Sequence, residues 1–140
     1  MKRFVMDSSI TMAWGFEDEK TSYTEAILNA VSAGSMAVVP TLWSYEVLNV
    51  LVTAQRRKRM TQAQALRFWR GLQSFSIRID ENHQTSHSSL ELMSLAEQHH
   101  LTAYDAAYLE LALREGLPLA TLDESLKKAA KAAGVPIAHP

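Results

Sequence analysis

Apolar residues fall along the chain in two alternating arrangements, short unbroken runs and longer stretches at helical spacing. RFVM (3–6), MAVVP (36–40), a strand within FSIRID (75–80) and LPLAT (117–121) are runs closed by Asp7, Pro40, Asp80 or a polar segment. Runs of this length suit strands covered on both faces, where no polar alternation is needed. VPIAH (135–139) is a possible short fifth strand.

The stretches between them carry helix signals. Ser8 or Ser9 can cap a short helix through ITMAW, and SYTE (22–25) reads as a capping box opening a helix with Ala26, Ile27, Ala30 and Val31 on one face and Gly34 as its stop. Thr41 can cap LWSYEVLNVLVTAQRRK, whose apolar stripe is Trp43, Val47, Val50 and Leu51. TQAQ (61–64) is a second box, ahead of Ala65, Phe68, Trp69, Leu72 and Phe75. A helix from about Thr85 to His99 has Leu90, Met93 and Ala96 or Glu97 on successive turns. LTAYDAAYLELA (101–112) follows, and DESLKKAAKAAG (123–134) ends at Gly134.

Strands alternating with helices predict a three-layer α/β domain with a mainly parallel sheet, with 1–140 as one domain. In such sheets the functional crevice lies beyond the carboxyl ends of the strands, where strand order reverses. Two candidate acids stand there: Asp7 directly after the first strand and Asp123 just after the fourth. Glu46 lies early in the helix following the second strand, and helices that follow strands begin at that edge. Asp105 lies in the first turn of a helix leading toward the fourth strand.

Each acid also has a local explanation. Thr102 and Asp105 match a capping box, Thr121 and Glu124 match another, Asp7 and Asp123 suit N-caps, and Glu46 can sit on a solvated helix face. Convergence would carry an energetic demand, because two unit charges 5 Å apart at an effective dielectric near 20 repel by about 3 kcal/mol. A compensating cation, or raised pKa values, would have to answer it.

Composition narrows which cation. The chain has no cysteine, so thiolate sites and disulfides are excluded, and no obvious histidine ligand joins these acids. An all-oxygen set selects Mg²⁺ or Mn²⁺, whose chemistry is with phosphates. The net charge of −1 gives no global attraction to a polyanion, so one would have to be held through metal or a local patch. Two basic residues and three apolar ones before Asp7 are too short for a signal core, and no run approaches a membrane span; the chain reads as cytoplasmic.

RFVMDSSITMAW with its following FEDE, PTLWSYEVLNVL, LTAYDAAYLELA and PLATLDESLKKAA, in this order over nearly the whole chain, resemble a PIN domain, and more closely the VapC-type toxin ribonucleases of toxin–antitoxin pairs. The resemblance implies a five-stranded parallel sheet, a Mg²⁺- or Mn²⁺-dependent endoribonuclease acting on single-stranded RNA, a cognate antitoxin that blocks the site, and a homodimer. Its acidic site falls on Asp7, Glu46, Asp105 and Asp123, with Thr121, and Ser9 in a similar part, as supporting hydroxyls. A PIN nuclease of RNA processing remains an alternative.

Other features fit plainer roles. QRRKR (55–59) suits a helix C-terminus, although phosphate contact is an alternative. His83 and His87 lack the glutamate of a zinc-protease motif, Gln84 standing in its place. Trp14, Trp43, Phe68 and Trp69 are core by spacing. A phospho-acceptor receiver domain would use Asp80 as acceptor, but it needs paired acids after the first strand and a lysine after the fifth, where MDSS and VPIAHP stand.

Overall fold

The structure, a computed structural model, describes residues 2–81 and 86–140. The elements run β1 (Arg3–Met6), α1 (Ser8–Gly15), a 3-10 turn (Glu17–Glu19), α2 (Ser22–Ser32), β2 (Met36–Pro40), α3 (Leu42–Arg56) and α4 (Gln62–Leu72). They continue with β3 (Ile77–Asp80), α5 (Ser86–His99), α6 (Ala103–Glu115), β4 (Leu119–Ala120) and α7 (Glu124–Ala132). The pair His83 and His87 lies outside the described residues and side chains.

All strand pairings are parallel, in the order β3-β2-β1-β4. The chain steps one way from β1 to β2 to β3, then crosses back over the sheet to β4. Right-handed crossovers therefore put α1–α4 on one face and α5–α6 on the other. Packing agrees: α1 meets α2 and α3, while α6 lies against β1, β2 and β4 with α5 and α7 beside it. The order reverses between β1 and β4, so a crevice opens beyond Met6 and Ala120, the last residues of those strands.

Burial explains the pattern of runs. Phe4, Val5 and Met6, in a central strand covered twice, are fully buried, as are Val38, Val39 and Leu119. Helix α6 is sandwiched so closely that every residue from Ala106 to Ala112 is buried. Two indoles brace α1: Trp14 Nε1 donates to Thr24 O at 2.9 Å, and Trp43 Nε1 donates to Thr11 Oγ1 at 2.9 Å. Gly116, at φ +65°, closes α6 in the left-handed conformation that a side chain would strain.

Several expectations need correction. The fifth strand is reduced to one bridge, Leu119 with Ile137, so the described sheet has four strands rather than five. The box opening α2 belongs to Thr21 and Thr24, not to Ser22. Thr41 stands at the start of α3 in helical conformation and makes no capping bond. On α5 the inward residues are Ser88, Leu92, Leu95 and, as expected, Ala96, whereas Leu90 and Met93 are 64% and 56% exposed. The two stripes differ by part of a turn, and only packing on α6 selects between them.

Asp80, at the end of β3, is 1% exposed and pairs with Arg114 Nη2 at 2.6 Å; the same guanidinium holds Glu110 through Nε at 2.8 Å. Neither carboxylate is free as an acceptor site. Arg114→Leu would remove the guanidinium that the two acids share. Its urea unfolding midpoint should fall by the equivalent of about 3 kcal/mol, with an unchanged m-value. A loss under 1 kcal/mol would mean the cluster is neutral in stability.

Candidate active site at the carboxyl edge

Asp7 follows β1 and caps α1, and its backbone N–H continues the strand pairing by donating to Ala120 O at 3.1 Å. Its side chain is 4% exposed. Oδ1 accepts from Ser9 N at 3.1 Å and from the Ser9 hydroxyl, and Oδ2 accepts from Thr121 Oγ1. Ser9 Oγ in turn accepts from Leu122 N at 3.0 Å, and Thr121 Oγ1 accepts from Asp123 N at 3.0 Å. The two hydroxyls thus tie the end of β1 to the end of β4. Burial pushes the Asp7 carboxyl up to about 6, against the pull of those donors.

Asp123 is exposed at the rim and caps α7, its Oδ1 accepting from Leu126 N at 2.8 Å. Thr121 does not cap that helix, because its hydroxyl is committed to Asp7. Thr102 caps α6 by accepting from Asp105 N at 3.1 Å, so the local explanation for Asp105 is half realised. Its half-buried carboxyl is raised by burial and then by the charge of Asp123, while the Thr102 hydroxyl works the other way. Glu46, half-buried, accepts from the Tyr108 hydroxyl. Burial raises it most, opposed by Tyr108 and Ser8, and Asp105 raises it further.

Electrostatics therefore link Glu46 to Asp105 and Asp105 to Asp123, while hydrogen bonds link Asp7 to Thr121 and Thr121 to the backbone of Asp123. Among the described residues no ion pair joins any of the four acids to a basic side chain. The contrast with Asp80 and Glu110, which share Arg114, is sharp.

Nor, among the described residues, do three or more acidic or histidine side chains converge closely enough to hold a bare ion between them. The four acids form no closed ligand cage. Each has an oxygen engaged by a hydroxyl or N–H donor, and mutual repulsion favours their standing apart. The donor set still fits a hard ion: it is all oxygen, and three of its members are raised by burial or one another, a charge deficit that a cation relieves. Mg²⁺ commonly keeps several waters and takes one or two carboxylates directly, which suits an open arrangement.

Sequence reading did not find Tyr108 or Ser8. Tyr108 lies three residues after Asp105, the spacing that puts two helical residues on one face, and that was the available signal. Ser8, beside Asp7, acts on both Tyr108 and Glu46.

Comparison with known proteins follows the same geometry. The PIN domain family matches residues 4–132. Ribonuclease VapC3 from Pyrobaculum aerophilum is 31% identical over 124 residues, covering 89% of this chain and 92% of that protein. Among solved structures, PAE2754 from Pyrobaculum aerophilum superposes with a TM-score of 0.71 at 25% identity, covering 91% of this chain and 84% of its own. VapBC2 from Rickettsia felis, bound to a DNA fragment from its promoter, gives 0.69 at 11% identity over 97% of each chain. Mycobacterium tuberculosis VapC20, a sarcin–ricin-loop-cleaving toxin, gives 0.65 at 14%, covering 98% and 99%. The last two carry the fold alone.

The raised Asp7 carboxyl has a stability consequence. The folded chain binds the Asp7 proton more tightly than the unfolded chain, so this residue costs stability as pH rises from 3.8 through about 6. In metal-free protein, Asp7→Asn should match wild type near pH 4 and exceed it at pH 7 by on the order of 2 kcal/mol. Paired thermal melts in EDTA across that range would show it; a constant difference would mean the carboxylate is not destabilised by burial.

Proposed function

Because the chain belongs to the PIN-domain family, we propose that it is a Mg²⁺- or Mn²⁺-dependent endoribonuclease, the toxin of a toxin–antitoxin pair. The observation that carries this is the set of acids Asp7, Glu46, Asp105 and Asp123, the first buried, the next two half-buried and the last exposed, none with a basic partner among the described residues. Supporting it is the similarity to a protein named as a VapC ribonuclease over nine-tenths of the chain.

In this proposal 1–140 is one PIN domain that works in the cytoplasm as a homodimer and is blocked by a cognate antitoxin. Among the described residues no helix is long and apolar enough to cross a membrane. A divalent ion, when bound, supplies counter-charge to a phosphate and a water acidic enough to act near neutral pH. Asp7, Glu46 and Asp105 would hold or orient the ion, directly or through water, with Asp7 fixed in place by Ser9 and Thr121, and Asp123 would complete the site or position a second ion. Hydrolysis adds water to phosphorus and breaks the bond to O3′, leaving a 5′-phosphate and a 3′-hydroxyl.

Substrate charge also needs an answer from the protein. A cavity of about 320 Å³ between α5 and α7 is lined by Gln98, His99, His100, Ser125 and Lys128. These residues flank Asp105 and Asp123 in sequence, and Lys128 lies about 7 Å along α7 from Asp123 at 1.5 Å per residue. Phosphates beside the scissile bond would pass there. Arg59 is differently employed: it pairs with Asp18 at 3.0 Å, and its guanidinium lies 4.4 Å above the Phe16 ring.

Antitoxin-free protein should cut single-stranded RNA with Mg²⁺ or Mn²⁺ and stop with EDTA. Asp7→Asn, Asp105→Asn and Asp123→Asn should each lower the rate by about a hundredfold or more while remaining folded. A variant that cuts near the wild-type rate would remove its residue from the site. Lys128→Glu should weaken RNA binding across sequences and lower the salt-dependence slope by about 1. An unchanged slope would place the RNA elsewhere.

A further inference from the structure

We propose that Tyr108 is a positioning residue for the acidic site, its hydroxyl holding the Glu46 carboxylate in place beside Asp105 from across the carboxyl edge of the sheet. The inference rests on the metal-dependent function proposed above. It goes beyond that function by assigning the site's geometry to a side chain that is not itself an acid.

The geometry is specific. Tyr108 is 1% exposed, one turn after Asp105 on α6, and donates to Glu46 Oε1. Glu46 belongs to α3, in the helical layer on the opposite side of the sheet. One phenol therefore joins the two layers where the crevice opens. Ser8, the first residue of α1 and next to Asp7, works against the raised state of both the Glu46 carboxyl and the Tyr108 phenol.

A buried phenol is costly unless its hydroxyl is bonded, and phenylalanine would fill the same space without that cost. The hydroxyl is thus explained by the carboxylate it meets. Burial and the neighbouring Glu46 charge hold the phenol well above the ordinary tyrosine range, so it remains a donor. Glu46 is repelled by Asp105 and, at the half-buried start of a helix, would otherwise be free to swing into solvent. The Tyr108 bond opposes that swing, as partners behind a metal ligand fix its orientation.

A purely structural role would join the layers and do nothing else, and the two roles separate experimentally. Tyr108→Phe keeps the ring and deletes only the donor. In the intact purified chain, Mn²⁺ binding measured by electron paramagnetic resonance of the free ion should weaken by about 10- to 100-fold, with melting in EDTA still cooperative. In a Glu46→Gln background the same change should alter Mn²⁺ affinity by less than about twofold, because there is no carboxylate left to position. Wild-type affinity in folded Tyr108→Phe would overturn the proposal, and so would an equal loss in both backgrounds.

If Tyr108→Phe does not fold, 3-fluorotyrosine at position 108 provides the second measurement. Its ¹⁹F resonance should shift as Mg²⁺ is added, and that shift should vanish with Glu46→Gln. A resonance that ignores saturating Mg²⁺ would sink the idea. Absence of Mn²⁺ binding by wild type would remove the metal-dependent function and the positioning role together. Binding by wild type with an indifferent Tyr108→Phe would remove the positioning role alone.

Discussion

A carboxylate buried at the end of a central strand must be answered by donors, and Asp7 draws its donors from both sides of the crevice. Ser9 supplies a backbone N–H and a hydroxyl from the start of α1, and Thr121 supplies a hydroxyl from the end of β4. Because Ser9 and Thr121 also accept from the backbone of Leu122 and Asp123, the path after β4 is set by the same bonds. That path places Asp123 at the head of α7. With Asp7 displaced, the closure between β1 and β4 would lose its internal ties, and the rim of the crevice with it.

Charge is distributed unevenly over the molecule, and the unevenness has a physical meaning. Asp80 and Glu110 are buried and share Arg114, while Glu115 is held between Arg3 and Arg78. These acids contribute to the fold. At the carboxyl edge, Asp7, Glu46 and Asp123 have hydroxyl and N–H donors but, among the described residues, no cation of the protein's own, unlike Asp80 at the end of β3. Neutral donors lower the cost of burial without cancelling charge, so the edge retains an unanswered negative field. Among the described residues, the deeply buried Asp80 and Glu110 share a cation, whereas the equally buried Asp7 is held by neutral donors alone.

Much of the architecture was legible because local signals and burial agreed. The first three apolar runs became strands, the Thr61 box formed as its spacing required, and Asp7 and Asp123 took N-cap positions beside the reversal of strand order. Where two local patterns competed, the chain alone did not choose. Leu90 and Met93 make as good a stripe as Leu92 and Leu95 until α6 is packed against one of them. Thr121 is as good a cap as Asp123 until Asp7 claims its hydroxyl. VPIAH has the composition of a strand but meets β4 at one bridge.

The four acids show the same division. For Asp7, Asp123 and Glu46 the approximate placement follows from sequence, because a residue after a parallel strand or early in a helix leaving one has to lie at the carboxyl edge, whereas Asp105 is in a helix that follows another helix and owes its place to packing. Their individual states belong to tertiary structure. Only packing sinks Asp7 until burial outweighs its donors, leaves Asp123 exposed, and brings Tyr108 from one helical layer to Glu46 on the other. Periodicity reports which face of an element is apolar; desolvation, donor supply and repulsion between distant segments depend on distances that exist only once the sheet is covered on both sides.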